Sequence, residues 1–69
     1  MITRLAGTYI GDFLLILNKK INAKNIPEYH LILSHRGKQI LYRVFETEKA
    51  AYASYKKTEK TARKYRIGH

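Results

Sequence analysis

The sequence predicts an α+β fold: a three-stranded antiparallel β-sheet packed against one C-terminal α-helix, in the order β-β-β-α. Three observations carry the prediction. Short apolar or alternating runs separated by turn residues fill the first 45 positions, as strands do. The turn His35-Arg36-Gly37-Lys38 joins two of these runs closely enough for a hairpin. From Thr47 onward the apolar positions switch to helical spacing. At 69 residues the chain has room for a single small domain, 1–69, without linker or internal repeat. A domain of this size buries only about 60% of its unfolded surface. With no cysteine, it has no disulfide to supplement a small core.

The first strand is expected at about 9–17. There Phe13-Leu14-Leu15-Ile16-Leu17 forms a continuous apolar run after Gly11-Asp12, which suits a buried strand. Residues 18–28, rich in Asn and Lys and containing Pro27, read as a long loop. Residues 1–8 are either a short additional strand or a mobile arm. The second strand, 29–34, puts Tyr29, Leu31 and Leu33 on one face and His30, Ile32 and Ser34 on the other. The third, 39–45, alternates Ile40, Tyr42 and Val44 with Gln39, Leu41 and Arg43. Matching the apolar sets turns Ile40, Tyr42 and Val44 toward the helix and Leu41 and Arg43 outward.

The helix is expected over about 47–66. Thr47 is a suitable N-cap, Glu48 places negative charge at the positive end of the helix dipole, and Gly68 follows as a C-cap. Ala51, Tyr55, Thr58, Ala62 and Tyr65 make the core stripe, and Lys49, Lys56, Lys57, Lys60, Arg63 and Lys64 fall opposite it.

Charge narrows the function. Fourteen Lys/Arg against five Asp/Glu give a formal net charge of +9, and residues 35–69 hold ten of the basic side chains against three acidic ones. This balance favours a polyanion partner, most simply nucleic acid. Without cysteine there is neither a thiolate metal site nor a cysteine nucleophile. The acids Asp12, Glu28, Glu46, Glu48 and Glu59 and the histidines His30, His35 and His69 fall at no spacing that forces a catalytic or metal-binding cluster. No enzymatic activity, metal or cofactor is therefore expected. The longest apolar run is five residues, against the ~20 of a membrane helix, so the expected protein is cytoplasmic with no membrane partner.

Two surfaces are candidates for contact. The first is the hairpin turn with the outward sheet face: Arg36, Lys38, Gln39, Arg43 and His30 have side chains that hydrogen-bond base edges, and a β-ribbon fits a major groove. The second is the basic helix face, where Lys56, Lys60, Arg63 and Lys64 would contact phosphates. Ile32 and Leu41, two large apolar residues expected on the outward face, point instead to a protein partner or homodimer there. The rival functional class is thus a phage- or plasmid-type interaction module that binds a host or replication protein. Binding to structured RNA or the ribosome shares the charge argument.

Residues 39–65 resemble the end of the APETALA-type DNA-binding domain and the related arm-binding domains of tyrosine recombinases. The resemblance is carried by Gln39-Ile40-Leu41-Tyr42-Arg43-Val44-Phe45-Glu46-Thr47, followed by Ala51 and Tyr55. It implies three strands packed on one helix, a sheet that enters the DNA major groove, and Arg36, Lys38, Gln39 and Arg43 facing DNA. It favours DNA over RNA and a phage or mobile-element accessory protein. The tryptophan of that family and its arginines on the first two strands have no counterpart here.

Overall fold

The computed structural model describes residues 2–68, with side chains through Tyr65. Four strands precede the helix: β1 (Ile2–Ile10), β2 (Phe13–Ile21), β3 (Pro27–His35) and β4 (Lys38–Phe45), followed by α1 (Glu48–Gly68). They form one antiparallel sheet in the order β1-β2-β3-β4. The fold is α+β as expected, with four strands in place of three.

The extra strand comes from the Gly11-Asp12 pair. Gly11 takes φ 59° and the chain reverses, so that Ile10 pairs with Phe13 and Ile2 with Lys20. A glycine at the first of two central positions is the geometry of a tight hairpin turn. Tyr9 and Leu17 therefore lie on two different strands, and the expected strand over 9–17 is replaced by β1 and β2. The expected loop over 18–28 also shortens, since Asn18, Lys19, Lys20 and Ile21 continue β2. What remains is a compact turn built on Asn22, whose side-chain carbonyl accepts from the Lys24 and Ile26 backbone N–H groups at 2.9 and 3.0 Å. Asn25 supplies the left-handed residue at φ 65°.

At the opposite end Arg36 and Gly37 take φ 53° and 80° in succession, the pairing that closes β3 onto β4. This turn is tied to the β1–β2 turn beside it. The Arg36 backbone N–H donates to the Asp12 carbonyl at 3.1 Å, and Arg36 Nε meets Asp12 Oδ2 at 3.1 Å.

The core lies between the sheet and α1. Leu15, Leu17 and Leu31 are fully buried and cluster with Tyr29, Ala51 and Tyr55, with Leu5, Ala6, Leu33, Leu41, Phe45 and Tyr52 packed around them. Thr47 caps α1 as expected: its Oγ1 accepts from the Ala50 N–H at 3.2 Å and its carbonyl from the Ala51 N–H at 3.1 Å. The helix continues through Gly68, beyond the expected end at 66. The stripe Ala51, Tyr55 and Ala62 is buried and Thr58 half-buried, but Tyr65 is 59% exposed at the far end of the helix. His69 lies outside the described residues.

A second departure concerns β4. Leu33 pairs with Leu41 but Ser34 pairs with Gln39, so Ile40 is an extra residue in a β-bulge. A bulge inverts the alternation of everything beyond it. Leu41 and Phe45, opposite Leu33 and Tyr29, turn toward the helix with Arg43, opposite Leu31. Tyr42 and Val44, opposite Ile32 and His30, turn outward. This corrects the expected facing of Leu41, Arg43, Tyr42 and Val44; Tyr29, Leu31 and Leu33 face the helix as expected.

Leu31→Ala removes a fully buried side chain from the centre of this cluster. It should lower the unfolding free energy by about 2–5 kcal/mol, read from chemical or thermal denaturation.

Candidate nucleic-acid interface

The inversion of β4 divides the expected hairpin surface between the two sides of the sheet. Gln39 stays on the outer face opposite Ser34, while Arg43 goes to the helix side. There it lines an open groove of about 430 Å³ between β4 and α1, with Leu33, Ile40, Leu41, Ser54, Lys57, Thr58 and Thr61. The groove continues past Ile40, Thr58 and Thr61 into a smaller hollow of about 310 Å³ that reaches Phe13 and Tyr65.

The chemistry of the groove follows from its walls. The floor is aliphatic: Leu33 from β3, and Ile40 and Leu41 from β4, where the bulge sets both residues on the same side. Arg43 from β4 lines one wall and Lys57 from α1 the other. Thr61 Oγ1 donates to the Lys57 carbonyl at 3.0 Å, one turn back, and the hydroxyl-bearing Ser54 and Thr58 also line the groove. No carboxylate lines it among the described residues. Two cations and two hydroxyls above an apolar floor suit an anionic group attached to a less polar body.

The other expected site residues are dispersed. Arg36 is at the hairpin turn with its guanidinium on Asp12, an exposed pair that offsets its charge at little gain in stability. Lys38 opens β4, exposed and opposite His35. Lys56, Lys60 and Lys64 are exposed along α1. Arg63 Nη2 meets Glu59 Oε2 at 3.3 Å one turn away. Ile32 is half-buried on the outer face beside Ile16 and Tyr42. Leu41, expected on that face, packs against the core instead. Lys57, Ser54, Thr58 and Thr61 were not among the expected site residues. The helical repeat sets them together on one flank of α1, but only the handedness of the β4–α1 connection decides that this flank borders β4.

His30, expected to read bases, is held in a chain across the outer face. Its Nε2 lies 3.3 Å from Glu28 Oε1, and its Nδ1 meets the Tyr42 hydroxyl. The Tyr42 ring stands edge-on to it, with centroids 5.6 Å apart at 87°. An imidazole with its proton on Nε2 satisfies both contacts, donating to Glu28 and accepting from Tyr42. Glu28 Oε2 also accepts from Asn22 Nδ2 at 3.3 Å. Hydrogen bonds from Asn22 and then from His30 stabilise its ionised form and hold its pKa below the usual glutamate value, against partial desolvation. On the helix side, burial pushes the Tyr55 phenol upward, aided by the nearby Glu59 carboxylate.

No group of three or more metal-ligating side chains occurs among the described residues. Among the same residues, no helix is long and apolar enough to cross a membrane. No family model matches the chain, and no curated protein or solved structure matches it.

Folded Glu28 binds its proton less tightly than the unfolded chain does. Its contribution to stability is therefore complete above about pH 4.5 and is lost as pH falls from there through the lower folded value. Melting temperature followed from pH 6 to pH 3 should fall less steeply in Glu28→Gln than in the wild type.

Proposed function

We propose that the protein is a small nucleic-acid-binding protein of accessory or regulatory kind, which holds a phosphate backbone in the groove between β4 and α1. The observation that carries this reading is that Arg43 and Lys57 line one groove in which, among the described residues, there is no acid. Cations that neutralise phosphates release condensed counterions, which supplies affinity without reference to sequence. The planar fork of Arg43 takes two phosphate oxygens, and Lys57 acts as a point charge on the other wall. Ser54 and Thr58 donate to the remaining oxygens, and Ile40 and Leu41 lie against the sugars. The exposed Lys56, Lys60 and Lys64 extend the positive field along α1 and steer the approach of the polymer.

Sequence reading is a smaller part of this model than the hairpin alone suggests. Lys38, opposite His35 on the helix side, would reach base edges of a polymer held in the groove, whereas Gln39 faces outward and His30 is occupied by Glu28 and Tyr42. The preference for DNA over RNA rests on the resemblance of residues 39–65 to DNA-binding domains; structured RNA satisfies the same charge logic.

Titration of labelled duplex DNA, duplex RNA and single strands at two salt concentrations tests the proposal. Arg43→Ala and Lys57→Ala should each weaken binding and flatten the salt dependence by about one unit of log–log slope. Wild-type affinity in the double variant would remove the groove from the binding surface. Tighter binding to RNA would transfer the reading to that polymer.

A further inference from the structure

Among the described residues no element covers the outer face of the sheet, yet that face is not polar as a solvated face should be. An antiparallel sheet open to water on one side is normally polar there, and a continuously apolar strand belongs where both faces are covered. Phe13–Leu17 is such a run, and its outward members Leu14 and Ile16 pair with Ser34 and Ile32. One row across the sheet reads Gly7, Ile16, Ile32, Tyr42. Val44 and Tyr9 beside it are 50% and 77% exposed.

We propose that this face is the contact between two copies of the chain, stacked sheet against sheet with the helices outermost. Four observations lead to a second copy. First, the face is nearly free of the charge that would oppose self-association. It carries Arg4 and Lys20 against Glu28, while the chain as a whole carries +9. Sheets stack about 10 Å apart and each helix adds 10–12 Å of thickness, so the two helix axes lie roughly 30 Å apart. That separation exceeds the physiological Debye length of about 8 Å severalfold.

Second, the rows are self-complementary. A two-fold axis between the sheets and parallel to the strands sets each row against its own reverse. Gly7 then faces the partner's Tyr42, Ile16 faces the partner's Ile32, and Lys20 faces the partner's Glu28. Third, Gly7 has no reason within one chain to lack a side chain. A Cβ there would meet only Arg4 Cδ at 3.6 Å and the Leu15 carbonyl at 3.7 Å, both ordinary contacts. Glycine inside a strand weakens it and marks the close approach of another group. Fourth, the area suffices. Four strands of about nine residues present roughly 19 × 30 Å, so two faces bury on the order of 1,100 Å², above the roughly 1,000 Å² expected of a specific interface.

The dimer stands independently of the nucleic-acid reading. If that reading holds, two phosphate grooves lie on opposite sides of one particle, which then binds polyanions bivalently. Sedimentation equilibrium of the full chain without nucleic acid separates the two ideas. The wild type should show twice the 8.1 kDa of one chain and dissociate on dilution. Ile32→Asp should halve the mass at concentrations where the wild type is paired. Gly7→Val, which fills the hollow with a residue that favours strands, should do the same while retaining the wild-type circular dichroism. Arg43→Ala should leave the doubled mass intact. A single-chain mass for the wild type at every concentration overturns the proposal, as does a doubled mass that survives both outer-face substitutions.

Discussion

Where α1 crosses the sheet, Ala51 and Ala62 present almost no side chain, so the helix comes close enough for Tyr55 to join Leu15, Leu17 and Leu31 in one water-free cluster. Everything else is arranged around that contact. One helix covers only one face of a four-stranded sheet, so half of the sheet's side chains are left without cover from this chain. The buried residues are few, and each of the three leucines is correspondingly important to a domain that has no disulfide to share the load. The two ends of the sheet are closed locally, by the Asn22 turn at one and by the Asp12–Arg36 link between turns at the other.

The Ile40 bulge then decides what each surface carries. Without it, strict alternation along β4 would put Tyr42 and Val44 into the core and Arg43 on the outer face. With one extra residue, Leu41 and Phe45 complete the core and Arg43 comes to rest beside α1. A single inserted position moves a guanidinium from one side of the sheet to the other, because strand side chains repeat every two residues. The same inversion delivers Tyr42 to His30 and thereby joins the β2–β3 turn, β3 and β4 through Asn22, Glu28, His30 and Tyr42.

The result is a molecule with two unlike sides. The helix side holds most of the positive charge and the groove between β4 and α1, while the outer sheet face is apolar at its centre and close to neutral. A uniformly basic surface would bind polyanions everywhere and resist association with anything of like charge. Segregation allows one side to meet an anion while the other packs against an uncharged surface.

Much of this was legible in the chain. The antiparallel hairpin through Gly37, the inward set Tyr29, Leu31 and Leu33, the Thr47 cap and the helix with its buried Ala51, Tyr55 and Ala62 all follow from local rules of period, capping and turn chemistry. The Gly11-Asp12 pair is a hairpin signal too, but it is flanked on both sides by apolar residues, Tyr9 and Ile10 before it and Phe13–Leu17 after it, so the local pattern resembles one broken strand and conceals β1. Other features had no local signal. A bulge is set by how two strands pair across the sheet, and no window around Ile40 shows that Leu33 and Ser34 skip a partner. The groove needs the handedness with which α1 returns over β4, which a helical repeat does not contain. The sequence by itself determined the α+β class, the hairpin through Gly37, the C-terminal helix and the net charge, because these depend on neighbours along the chain. Only the tertiary structure decided which face Arg43 and Leu41 occupy and that Lys57 stands across from Arg43, because both depend on pairings between residues far apart in sequence.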